Sequence, residues 1–322
     1  MELAPAPFHA DLAEGPAGAR AWWARASDGL RLRLAHYPGP GDARGTVLLF
    51  PGRTEYVEKY GRVAVDLAKA GYHTLTIDWR GQGLADRMLD DPRTGHVHVF
   101  EDYQKDVAAM VAAAVALDLP GPHFLLGHSM GGCIGLRSVM DGLAVQACAF
   151  TGPMWGIRMT PPVRPAAWAL SWGGKRMGVG HLLAPGTGIE SYVTTAPFED
   201  NTLTTDPDTW DYMRRQTLAI PELQLGGPSL TWLHEALAEC RALHRRPSPG
   251  LPCFAAVGSN ERIVDVPRIL SRMERWPNGR LQVVEGGEHE LLMERPELRQ
   301  PVIDGIAALF ESVPTQPQSL SA

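Results

Sequence analysis

Two kinds of hydrophobic pattern take turns along the first half of this 322-residue chain. Short runs that are apolar almost throughout read as strands buried on both faces: Thr46 to Phe50 (TVLLF), Tyr72–Asp78 (YHTLTID), His123–Gly127 and Val145–Phe150. Between them lie helical patterns, from about Glu58 to Lys69 with Gly71 as the stop, over Asp102–Leu117, and from about Met130 to Met140 before Gly142. Upstream, residues 21–37 read as two strands joined at Asp28-Gly29. Such alternation with short links predicts an α/β fold: a mostly parallel central sheet with helices on both faces.

The rhythm lapses over 153–248, a stretch rich in Trp, Gly and Pro. It returns with a strand at Pro252–Val257, a helix near Val266–Trp276, a strand at Arg280–Glu285 and a helix to about Phe310. An irregular stretch between two halves of one alternation predicts a mainly helical cap, 153–248, inserted into a single domain formed by 1–152 and 249–322. The final VPTQPQSLSA is polar and proline-containing, and disorder is expected from about residue 313.

Composition removes several function classes. With 30 basic against 36 acidic residues the chain carries a formal charge of −6, which argues against a nucleic-acid partner. Cys133, Cys148, Cys240 and Cys253 form no CxxC pair, so neither a zinc knuckle nor a disulfide framework is expected. The opening MELAPAPFHADLAEG has no secretory signal pattern, and no apolar run approaches the roughly 18 residues of a membrane span. A cytoplasmic globular protein is the expectation.

The chemistry starts at Gly127-His128-Ser129-Met130-Gly131, a single G-x-S-x-G between a strand and a helical stretch. That context suits a nucleophile elbow, where a tight strand-to-helix turn exposes a serine Oγ above the sheet. Such a serine needs a base, and the base an orienting acid. His289, in Glu285-Gly286-Gly287-Glu288-His289-Glu290 after a strand, is placed to be the base; His181 and His234 fall in the insert. The strand Pro252–Val257 leads to two acids. Glu261 lies in the loop proper, and Asp265, just ahead of Pro267, is the alternative and looks like a helix N-terminal residue. Oxyanion donors are expected from the backbone N–H of Met130 and from Arg53 in Pro51-Gly52-Arg53-Thr54-Glu55. The Arg53 side chain is read either as a partner for Glu55 or as a surface arginine.

Neither a metal nor an organic cofactor is expected. His96-Val97-His98 has ligand spacing but no further converging ligands, and Gly81-Gln82-Gly83 lacks the third glycine of a dinucleotide site. A tight turn fits that glycine pair better, with Asp78 structural.

These residues carry a resemblance. PGRTEYVEKYGR, DWRGQGLADR, GHSMGG, NTLTTDPDTWDYMRR, PELQLGGPSLTWL, GSNERIVD and GGEHELLMERPE resemble the α/β-hydrolases of the monoacylglycerol lipase and bacterial lysophospholipase group. The resemblance implies Ser129 as nucleophile, His289 as base, Glu261 as acid, and Arg53 and Met130 as oxyanion donors. It departs from the wider family in Pro51-Gly52-Arg53-Thr54-Glu55, usually His-Gly-x-Gly/Glu, and in Glu261, commonly Asp. Both departures resemble the bacterial lysophospholipase branch. Ser129 argues against the related epoxide hydrolases and dehalogenases, which place aspartate at the elbow.

The insert carries Met154, Trp155, Trp168 and Trp172, expected to line the substrate site. From Pro153 to Ile189 there are Arg158, Arg164, Lys175 and Arg176 and no acid. A basic, Trp-bearing cap suits an acyl chain with an anionic or zwitterionic head, met in transient contact with a membrane surface. The expected reaction is hydrolysis of a single-chain lipid ester, a lysophospholipid before a monoacylglycerol. A broad carboxylesterase, a proline-iminopeptidase-like peptidase and a non-catalytic binding protein compete with it.

Overall fold

The structure is a computed structural model and describes residues 2–313; the expected disorder of the C-terminal tail concerns residues outside that range, apart from Val313. Nine strands form one sheet: β1 (Ala4–Ala6), β2 (Arg20–Arg25), β3 (Arg31–Tyr37), β4 (Thr46–Phe50), β5 (His73–Asp78), β6 (His123–His128), β7 (Cys148–Thr151), β8 (Cys253–Gly258) and β9 (Gly279–Val284). Their spatial order is β1-β2-β3-β5-β4-β6-β7-β8-β9. The strands from β5 to β9 in that order pair in parallel, and β1, β2 and β3 add an antiparallel edge.

The all-apolar runs belong to the central strands because those strands are covered twice. In β4, Leu48 and Phe50 join the core on one face of the sheet, while Val47 and Leu49 join the core on the other. All four are fully buried, and each such side chain contributes about 1.5–3 kcal/mol relative to exposure. The helices packed outside are α1 (Ala10–Ala13), α2 (Gly61–Lys69), α3 (Tyr103–Ala116) and α4 (Met130–Met140). A 3₁₀ turn, Val57–Tyr60, precedes α2, so the helical pattern expected from Glu58 opens with a tighter turn. Strand β1 was not expected; it pairs through Ala4–Ala6 with Trp23, Trp22 and Ala21.

Between β7 and β8 the chain forms α5 (Val163–Arg176), α6 (Tyr192–Thr195), α7 (Pro207–Ala219) and α8 (Leu230–Arg245); α9 (Val266–Glu274) and α10 (Pro296–Glu311) follow β8 and β9. Two of the inserted helices start on side-chain caps. Asp206 accepts from the N–H of Asp208 ahead of α7, and Ser229 accepts from Trp232 N–H ahead of α8. Helix α7 is tied down through Tyr212, whose hydroxyl lies 2.8 Å from the Ala13 carbonyl and 2.9 Å from that of Glu58. Helix α8 is tied to α4 by the Arg137–Glu239 pair at 2.6 Å. No helix among the described residues is long and apolar enough to cross a membrane.

Candidate active site

Strand β6 ends in the G-x-S-x-G turn, and α4 begins one residue after Ser129. Ser129 takes φ 50° and ψ −116°, a conformation that costs a non-glycine residue about 1–3 kcal/mol and persists only where the surroundings enforce it. They do so by hydrogen bonds on both sides: Ser129 N–H donates to the Thr151 carbonyl at 3.1 Å, and Met154 N–H to the Ser129 carbonyl at 2.8 Å. Gly131 cannot be larger, because a Cβ there would lie 2.0 Å from the Phe50 carbonyl oxygen at the end of β4.

Three side chains meet above this turn. His289 Nε2 lies 2.9 Å from Ser129 Oγ, and His289 Nδ1 lies 2.6 Å from Glu261 Oε2. The second oxygen of Glu261 accepts the N–H groups of Ile263 (2.6 Å) and Val264 (3.1 Å). Burial alone would raise the Glu261 pKa; the attraction and hydrogen bond of His289, with those two N–H groups, outweigh it and leave the carboxyl below its ordinary value. An ionised Glu261 fixes the proton on Nδ1 and leaves Nε2 free to accept from the serine hydroxyl. Asp265 is elsewhere. It sits at the N-cap of α9, 2.9 Å from Arg164 and 3.6 Å from Arg268.

Both expected oxyanion donors have free N–H groups. Met130 is the first residue of α4, so no helical carbonyl can take its N–H. Arg53 N–H has no acceptor among the described residues. The loop carrying Arg53 rests on the strand-to-turn motif Asp78-Trp79-Arg80-Gly81-Gln82-Gly83. Trp79 Nε1 donates to the Pro51 carbonyl (2.9 Å), and Gln82 donates to the carbonyls of Gly52 (2.8 Å) and Glu55 (3.1 Å). Asp78 accepts from Val57 N–H, Leu84 N–H and Arg33, whose guanidinium also pairs with buried Glu58. The expected tight turn is therefore also the support of the loop that carries Arg53.

The Arg53 side chain corrects both expectations set for it. It neither pairs with Glu55 nor stands in solvent: Nη2 donates to the Gly226 carbonyl at 2.6 Å, and the guanidinium lies 5.1 Å from the Trp232 ring centre. Glu55 instead accepts from Gly52 N–H, from Tyr60 and from Lys59, the last at 2.7 Å.

Lys59 opens a buried charge cluster that the sequence did not announce. Its ammonium bridges Glu55 and Glu290 at 2.7 Å each. His128, inside the elbow, faces the same two carboxylates with Nε2, at 3.6 Å and 3.3 Å, while Nδ1 lies 3.0 Å from the Thr151 carbonyl. Nδ1 also lies 3.0 Å from the Thr151 hydroxyl, and the two carboxylates beside Nε2 favour an imidazolium. Burial opposes that charge, but Glu290 and Glu55 outweigh it and raise the His128 pKa. Glu55, His128 and Glu290 are the one trio among the described residues spaced to hold a metal ion; Lys59 bonds both of its carboxylates and supplies a positive charge there.

A cavity of about 770 Å³ opens over Ser129 and His289, within the usual range for small-molecule sites. Its wall includes Tyr56, Met154, Ile157, Val193, Leu203, Met213, Leu225 and Trp232, with Arg53, Lys59, Glu55, Glu190 and Glu290 as charged members. Of the four expected cap residues only Met154 is on it. Trp155 is buried under the elbow, its Nε1 bonded to the Gly132 carbonyl at 3.1 Å and its ring stacked 6.2 Å from Trp276. Trp168 packs edge-on against His234, and Trp172 is half exposed beneath Arg176. Trp232, from α8, holds the lining position instead. The basic residues of the expected cap are mostly engaged: Arg164 with Asp265, Lys175 with Glu235 at 2.6 Å, and Arg158 with the Glu261 carbonyl at 2.9 Å.

The sequence profile described as "Serine aminopeptidase, S33" matches residues 41–296. Lysophospholipase L2 of Escherichia coli (strain K12) is 33% identical over 294 residues, covering 87% of this chain and 83% of that protein. Monoglyceride lipase of Saccharomyces cerevisiae is 33% identical over 118 residues, 36% of this chain and 37% of the relative. The crystal structure of a soluble variant of that yeast lipase, with a substrate analogue, superposes with TM-score 0.71 at 20% identity, covering 91% of this chain and 95% of the other. The chain thus belongs to the Serine aminopeptidase, S33 family of α/β-hydrolases, in its lysophospholipase and monoacylglycerol lipase group.

Proposed function

We propose that this protein hydrolyses the carboxylic ester of a single-chain lipid through an acyl-enzyme. The observation that carries the proposal is the Ser129–His289–Glu261 relay on the wall of a largely apolar cavity of about 770 Å³. His289 Nε2 takes the Ser129 proton as Oγ attacks the ester carbonyl. The N–H groups of Met130 and Arg53 receive the developing oxyanion, and Glu261 stabilises the imidazolium. The imidazolium then protonates the leaving alcohol, which departs. Water, deprotonated by His289, attacks the acyl-serine; the Oγ–C bond breaks, the fatty acid leaves, and His289 returns the proton to Ser129 Oγ. The names of the relatives, lysophospholipase and monoglyceride lipase, support this substrate class.

The deciding experiment assays lysophospholipids and monoacylglycerols of one acyl length against wild type and Ser129→Ala. Turnover by wild type and its loss in the variant is expected. A nitrophenyl-ester optimum at short acyl lengths would instead make it a broad carboxylesterase. Cleavage of aminoacyl arylamides without ester turnover would make it a peptidase, and failure of a fluorophosphonate to label Ser129 would leave a binding protein.

Contact with a lipid surface belongs to the same proposal. Helix α5 and the segment after it expose Leu170, Trp172, Met177 and Leu182 beside Arg176. With Arg164 and Lys175 paired, apolar surface rather than net positive charge is what this face offers a bilayer.

A further inference from the structure

Two cations line the cavity, and they are treated differently by their surroundings. Lys59 is held between two carboxylates. Arg53 has none: among the described residues no Asp or Glu lies within ion-pairing distance of its guanidinium. Its one hydrogen bond is to the Gly226 carbonyl, and buried Nε has no partner. Yet the residue keeps some accessible surface, and the groups beside it, Gly226 and Trp232, are themselves cavity wall. Protein packs around it densely enough that burial pushes its pKa down to about 10.

An unpaired guanidinium in such a place is unfavourable in the empty protein. The face of Trp232 offsets part of that cost. The chain also makes room for the group, since a Cβ on Gly95 would lie 2.6 Å from Nη2. A cation that is housed but not neutralised is suited to an anion arriving with the substrate. The same residue's backbone N–H is the proposed donor to the ester oxyanion. Its guanidinium is therefore no farther than one arginine side chain from that donor. In a lysophospholipid, the phosphodiester stands at that remove from the ester, across the glycerol backbone.

We propose that the Arg53 guanidinium is the anchor for the phosphate of a lysophospholipid head group, and so selects phosphate-bearing single-chain esters over monoacylglycerols. This rests on the ester-hydrolase reading above and assigns its head-group preference.

The test compares 1-palmitoyl-lysophosphatidylglycerol with 1-palmitoylglycerol, which share the acyl chain and the ester. For each, kcat/KM is measured on wild type, Arg53→Gln and Arg53→Lys. The expected result is a drop of roughly 10- to 100-fold in the ratio of the two values in Arg53→Gln, carried by KM for the phospholipid, with partial recovery in Arg53→Lys. A ratio that stays constant while both activities fall assigns Arg53 to shaping the loop alone and overturns the proposal. If wild type cleaves neither lipid, the hydrolase reading fails on its own. Calorimetry with glycerophosphoglycerol then decides this one: binding to wild type that weakens by the same factor in Arg53→Gln upholds it. No binding, or inorganic phosphate bound as tightly, overturns it.

Discussion

The Lys59 ammonium lies 2.7 Å from Glu290, a contact that joins positions 231 residues apart. Lys59 follows the loop that holds Arg53, and Glu290 follows His289. The pair therefore ties the oxyanion side of the site to the base side. Replacing Lys59 with Met should leave two buried carboxylates facing each other and cost about 3–5 kcal/mol of stability. Glu290→Gln should cost less, because Glu55 still pairs with the lysine. Urea unfolding of both single variants and the double variant should reveal a coupling on the order of 0.5–3 kcal/mol. Additive losses would mean that the contact does not join the two loops.

His128 predicts a pH signature. Its pKa in the folded chain is raised above the free value of 6.5 by Glu290 and Glu55 against the opposing effect of burial. Its charge therefore stabilises the fold in full below about 6.5 and loses that contribution as pH rises through the folded value. Glu55, Glu290, Lys59, Tyr60 and the elbow surround it, so the comparison must be with a single-site variant. The Tm advantage of wild type over His128→Gln should shrink steadily from pH 6 to 10. A constant difference would show a neutral imidazole.

Glu261 and Asp265 separate cleanly by position. Glu261→Gln keeps the shape but removes the charge that holds the His289 tautomer, and kcat should fall roughly 10³–10⁴-fold. Asp265→Asn weakens the contact with Arg164 and should change kcat by less than about threefold. Single-turnover ester hydrolysis on both variants checks this, and equal losses would remove Glu261 from its role.

The exposed face of α5 predicts membrane binding that does not depend on catalysis. Trp172→Ser with Leu170→Ser should lower the fraction of protein that sediments with phosphatidylglycerol vesicles by severalfold, since each substitution removes an inserted apolar side chain. Hydrolysis of a water-soluble short ester should be unchanged. Equal sedimentation of the double variant would remove this face from any lipid contact.

What could be read from the sequence follows what each residue's neighbours are. The run Thr46 to Phe50 was legible because a strand covered on both faces must be apolar at every position. Ala4–Ala6 was not, because its pairing is imposed by Trp22 and Trp23 rather than by any propensity of its own. The elbow serine and His289 could be placed because both sit in short local motifs. The cluster of Glu55, Lys59, His128 and Glu290 is assembled from three separate stretches of the chain, and no spacing reports it. Tryptophans misled for a related reason. The same residue type serves as buried core in Trp155, as half-exposed surface in Trp172 and as cavity wall in Trp232. Arg53 took a partner 173 residues away, so neither local reading of its side chain could succeed.

Trp155 lies only a few residues into the inserted stretch, yet it belongs mechanically to what lies beneath. It is wedged between Phe150 and Trp276, and Ile157 bridges to Val264 just afterwards. The root of the insertion is thus clamped to both halves of the sheet domain before its first helix begins. If this stretch acts as a lid, it would have to pivot beyond residue 157, leaving the strained serine turn undisturbed. For anyone exchanging lids between relatives, the safe cut lies downstream of that clamp. A graft that starts at 153 would carry away part of the foundation under the nucleophile.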